Sequence, residues 1–141
     1  MWCEHYADRL TAWSLLRHQC AAAPVDQALL AINHWWFAAP MISRGLIWEQ
    51  HEHWPDPWQL LAQGSLCDLA RGLGMLYTVN MIAHANITDC SIAQTDHDNL
   101  VLVNQGKYIL KWAPGPLLNI LSRPVTVRRH LDGAAFNHLA R

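Results

Sequence analysis

Near residue 86 the chain changes its apolar period, and this restricts the fold more than any motif does. Before that point apolar residues recur at helical spacing: Tyr6, Leu10, Trp13, Leu16 and Cys20, then Ala28, Leu29, Ile32 and Trp36. After it, short alternating runs separated by turn residues take over. Such a chain predicts an α+β fold in a single domain spanning 1–141, helical over 1–85, with a small antiparallel sheet and a tail over 86–141.

The breaks between elements are marked. The first helix is predicted from about Glu4 to Cys20 and the second from Pro24 to Pro40, with Asp26 in its first turn, where a carboxylate suits the helix dipole. Residues 41–56 read as irregular. Asp56 and Pro57 form an N-cap and first-position pair for a short helix over Trp58–Gln63, stopped by Gly64. A longer helix follows from Ser65 or Leu66 to about Ala83, headed by Cys67. Its Gly72 and Gly74 each cost roughly 1 kcal/mol against alanine, so they point to close approach by another element. Strands are predicted over Ile87–Gln94, Asn99–Val103, Lys107–Trp112 and Pro124–His130, with NQG as the hairpin turn before Lys107. Leu117–Leu121 reads as a short helix, and the tail after Leu131 as a last helical turn or a mobile arm.

Composition narrows the function classes. The chain is 52% hydrophobic but only 15% charged, and it carries eight tryptophans. A charged fraction near ~25% is usual, so part of the outside is expected to be covered by other protein subunits. Trp35, Trp36, Trp48, Trp54 and Trp58 are the candidate interface residues, in an aromatic stretch over 35–58, with further contacts expected from the tail after Leu131. The formal net charge of −1, with histidine neutral, argues against a nucleic-acid partner. No run approaches the ~20 apolar residues of a membrane span, and Met1–His5 lacks a signal-peptide start, so no membrane partner is expected. Cys3, Cys20, Cys67 and Cys90 form no CxxC pair and read as reduced thiols in a cytoplasm-made protein. His51, Glu52 and His53 lie at a spacing that converges only in an extended segment, so no metal site and no cofactor is expected. GLG at 72–74 lies inside a helix rather than at its start, which argues against a phosphate loop.

One constellation can carry chemistry. A thiol at a helix N-terminus is activated by unpaired N–H groups, and a nucleophile needs a histidine base held by a third polar group. Cys67 meets the first condition, and His97 at the head of the middle strand is the candidate base. The order WPDPWQLLAQGSLCDLARGLG, strand, then HDNLVLVNQGKYILKW resembles the transglutaminase-like group of the papain-like cysteine-enzyme superfamily. Trp54, Pro57, Leu60, Cys67, Ala70 and His97 carry the resemblance, over residues 54–112. It implies Cys67 as nucleophile, His97 as base, and an aspartate near the end of the paired strand. That region holds Lys111, Trp112, Ala113 and Pro114, leaving Asn119 as a remote substitute. Loss of the orienting carboxylate costs about 10^4 in a serine triad, so the resemblance implies a degenerate site. The WPDPW and CDLARGLGMLYT segments also resemble small tailed-phage proteins. The expectation is a non-catalytic structural subunit of a virion tail, neck or baseplate. The alternative is a thiol hydrolase or acyltransferase.

Overall fold

The computed structural model describes residues 2–43, 45–96, 98–111 and 127–140. Four α-helices, α1 (Tyr6–Ala22), α2 (Val25–Phe37), α3 (Pro57–Leu61) and α4 (Asp68–Ile82), precede four strands. These are β1 (Cys90–Gln94), β2 (Asn99–Val103), β3 (Tyr108–Leu110) and β4 (Arg129–Asp132). The sheet is antiparallel, in the order β3-β2-β1-β4. The α+β class expected from the change of period is the class observed. Two 3₁₀ segments, Trp48–His53 and Gly133–Ala140, complete the described elements.

Helix α4 is the axle of the fold. Every residue from Leu69 to Val79 is buried, because α1, α2 and α3 pack around it and the sheet closes the remaining side. The two glycines of α4 make this possible. A Cβ on Gly74 would lie 2.5–2.7 Å from the Trp36 ring, and one on Gly72 would lie 3.2 Å from the Lys111 side chain and 3.4 Å from Ile92. Helix and ring meet at a distance only glycine allows.

One hydroxyl ties three helices together inside this core. Thr78 Oγ1 accepts the indole N–H of Trp13 at 2.9 Å and that of Trp36 at 3.0 Å, and donates to the Gly74 carbonyl at 2.8 Å. Both lone pairs and the proton are used, so both fully buried indoles are satisfied by one side chain.

Several boundaries differ from the sequence expectation. Residues 87–89 do not extend β1. The Thr88 amide and the Asp89 carbonyl and carboxylate bind Asn104 and Gln105, which have φ of 55° and 57°, so this segment seals the β2–β3 turn. The stretch read as irregular contains the 3₁₀ segment Trp48–His53. β4 begins at Arg129, and residues 124–126, like the helix expected over Leu117–Leu121, lie outside the described residues. In the tail, the described residues form the 3₁₀ segment Gly133–Ala140. Asp132 caps Ala134 at 2.9 Å, and the 3₁₀ segment turns Phe136 into the core, stacked on Trp54 at 5.9 Å and edge-on to Tyr77.

Candidate functional site

Cys67 is the N-cap of α4, with extended backbone at φ −74° and ψ 170°. Its Sγ accepts the Ala70 amide at 3.3 Å, the usual N-cap bond, and also the Leu46 amide at 3.4 Å. The approach to the helix is clamped. Leu66 donates to the Pro40 carbonyl at 2.8 Å, and Ile42 donates to the Leu66 carbonyl at 3.0 Å, so 40–42 runs alongside the residue before the cysteine. Gly45 closes over the sulfur. A Cβ there would stand 2.5 Å from Sγ, and Cys67 is only 7% exposed.

The next residue, Asp68, anchors a polar chain that the sequence reading missed. Asp68 forms an ion pair with Lys111 and accepts Asn99 Nδ2 at 2.9 Å, while Asn99 Oδ1 accepts the Trp48 indole N–H at 2.7 Å. Lys111 is 4% exposed, has φ 68°, and donates its backbone N–H to Asn33 Oδ1 at 2.7 Å. The left-handed backbone turns its side chain back toward the helix terminus. One turn further along α4, buried Arg71 donates to the Ala39 carbonyl at 2.6 Å and lies 4.9 Å over the Phe37 ring. Burial lowers its pKa from the ordinary guanidinium value, and the Asp68 carboxylate opposes that shift.

The end of β3, where the resemblance implies an orienting aspartate, therefore begins with a cation already held by Asp68. His97, Asn119 and residues 112–114 lie outside the described residues. The candidate interface tryptophans divide. Trp36, Trp48 and Trp54 are buried within the chain's own core, while Trp35 and Trp58 are half-buried and packed against it. High aromatic content read as interface material is spent largely on internal ring contacts such as Trp48–Trp54 at 5.2 Å and Trp35–Trp36 at 5.0 Å. All four cysteines are free thiols. Burial raises the pKa of Cys20, and burial with Asp132 and Asp89 nearby pushes that of Cys90 up to about 12. Among the described residues no group of three or more His, Cys, Asp or Glu gathers to hold a metal, and no helix is long and apolar enough to cross a membrane.

No family model matches the chain, and neither a curated protein nor a solved structure matches it.

Proposed function

We propose that this chain is a non-catalytic structural subunit of a larger assembly, of the tailed-phage virion kind that its sequence resembles. The observation that carries this reading is the commitment of the Cys67 sulfur. It is 7% exposed, lies under Gly45, and caps α4 while also accepting Leu46 N–H. A sulfur packed in this way does the work of a capping oxygen, and free cysteine is among the most buried residue types. The Asp68–Lys111 pair beside it supports the same reading, since the cation that follows β3 is engaged by the carboxylate next to Cys67. Met41, Ile42 and Ile47, 50%, 41% and 50% exposed, lie on the segment leading to the same helix end and supply apolar surface for another subunit to cover.

A second reading, a thiol hydrolase or acyltransferase using Cys67 and His97, is favoured by one observation. Two backbone N–H groups point at Sγ at the start of a fifteen-residue helix, and the same arrangement stabilises a thiolate. The rate of Cys67 alkylation by iodoacetamide against pH, measured in the folded chain and in His97→Ala, separates the two. The structural reading expects slow alkylation that the substitution does not change. Fast alkylation below pH 7 that disappears in His97→Ala would replace it with the enzyme reading.

A further inference from the structure

His84, the second residue past α4, is a buried imidazole with both ring nitrogens committed to main chain. Its Nε2 lies 2.6 Å from the Ala23 carbonyl at the end of α1, and its Nδ1 accepts the Asn86 amide at 3.0 Å. A carbonyl only accepts and an amide N–H only donates, so these two partners fix the neutral ring with its proton on Nε2. A second proton would go to Nδ1 and meet the Asn86 N–H donor to donor. The conflict reaches beyond the ring. The Asn86 carbonyl accepts Asn104 Nδ2 at 2.9 Å, and Asn104 Oδ1 accepts the Thr88 amide at 2.8 Å. Asn104 and Gln105 are the left-handed residues of the β2–β3 turn, and the Asp89 carboxylate accepts the Gln105 amide at 2.9 Å. Such a backbone persists in side-chain-bearing residues where surrounding bonds hold it. The ring, Asn86 and the turn therefore form one hydrogen-bonded chain that starts at the end of α1.

There is room beside the ring for it to move. His84 borders a cavity of about 100 Å³ that Asn80, Asp89 and Cys90 also line. The ionisable groups on the elements packed around the ring are Asp89 and Cys90 in that cavity, Asp132 of β4 near Cys90, and Cys20 and Asp26 on either side of the Ala23 carbonyl. None of these five carries positive charge, and Asp89 is the carboxylate that shares the cavity with the ring. We propose that His84 is a proton-operated latch. Neutral, it ties the end of α1 to the β2–β3 turn. Protonated, it gives up the Asn86 amide, turns into the cavity toward Asp89 and loosens the turn that Asn86 and Asp89 hold. The sign follows from the partners: the bonds are complete while the ring is neutral and are lost as pH falls through its protonation.

The test uses the full chain labelled with nitrogen-15. Long-range proton–nitrogen spectra at pH 7.5 are expected to show the His84 ring as the Nε2–H tautomer. Amide exchange at Asn86 and Gln105, corrected for the intrinsic effect of pH, is then compared at pH 7.5 and 5.0. These conditions straddle the ordinary imidazole value of about 6.5 and stay above the ordinary aspartate value of about 3.9. Protection at both amides should fall roughly tenfold at the lower pH, the size of one lost hydrogen bond to a buried partner, while the Leu76 amide inside α4 keeps its protection. His84→Gln supplies a donor and an acceptor on one side chain and does not titrate, so its protections at Asn86 and Gln105 should be the same at both pH values. The Nδ1–H tautomer in the unsubstituted chain would overturn the proposal, and that reading does not depend on how the variant folds. So would protection that ignores pH, an equal loss at Leu76, which marks general unfolding, or the same loss in His84→Gln.

Discussion

Replacing Thr78 by valine tests the central packing argument directly. Valine keeps the shape of threonine and removes the one oxygen that accepts from both Trp13 and Trp36. Both rings are 0% exposed, so neither indole N–H can turn to water. A buried donor left without a partner costs about 1–3 kcal/mol, and here two are orphaned together. Valine is easier to bury than a hydroxyl, which returns part of that cost. The expected loss is about 2–4 kcal/mol, a large share of the roughly 5–15 kcal/mol that holds a domain folded. Thr78→Ser keeps all three hydrogen bonds and loses one methyl, so it should cost only about 1 kcal/mol. Urea unfolding followed by tryptophan fluorescence reads both. With a slope of about 1–3 kcal/mol per molar urea, the valine midpoint should fall by roughly 1–2 M and the serine midpoint by much less. A valine variant as stable as the serine variant would refute the claim that this hydroxyl joins the helices.

Two further outcomes follow from local geometry and burial. Ala83 ends α4 in the left-handed region at φ 48° and ψ 44° and is exposed, so Ala83→Gly should raise the urea midpoint by an amount equal to about 0.5–1 kcal/mol. The folded pKa of Cys90 is pushed up to about 12 from 9.0, so above pH 9 the unfolded chain releases a proton that the folded chain keeps. Stability contributed by the neutral thiol is therefore complete below pH 9 and is lost as pH rises toward 12, at about 1.4 kcal/mol per pH unit. Tyr77, raised by burial and by Asp56, adds to the same alkaline loss at higher pH. Unfolding free energies from urea titrations at pH 7.5 and 10.5 should differ by about 2 kcal/mol from Cys90, and Cys90→Ala should reduce that difference.

What the sequence disclosed and what it hid divide along the range of the interactions. The cysteine-headed helix, the capping pair at Asp56 and Pro57, and β2 over Asn99–Val103 were readable because caps, turns and period are local. Gly72 and Gly74 announced close approach, and the Trp36 ring and the sheet are what approach. The chain Trp48–Asn99–Asp68–Lys111 was not readable, since its partners are joined across 31 to 51 positions and no spacing rule links them. The left-handed backbone of Lys111 is equally silent in sequence, because lysine carries no preference for that region. The tryptophans misled for a related reason. Their number suggests exposed area, but an indole with an internal acceptor, such as buried Thr78 or half-buried Asn99, is content inside.

The placement of Phe136 sets an order of events during synthesis. Its ring completes the packing around Trp54 and Tyr77, yet it follows every other described core residue in the chain. A ribosome delivering this polypeptide releases the helices before the closing ring. Until residue 136 emerges, Trp54 and Tyr77 lack a cover that the finished protein provides. The nascent helical half therefore spends part of its translation with aromatic surface open, and the stretch after β4 is the one that shuts it.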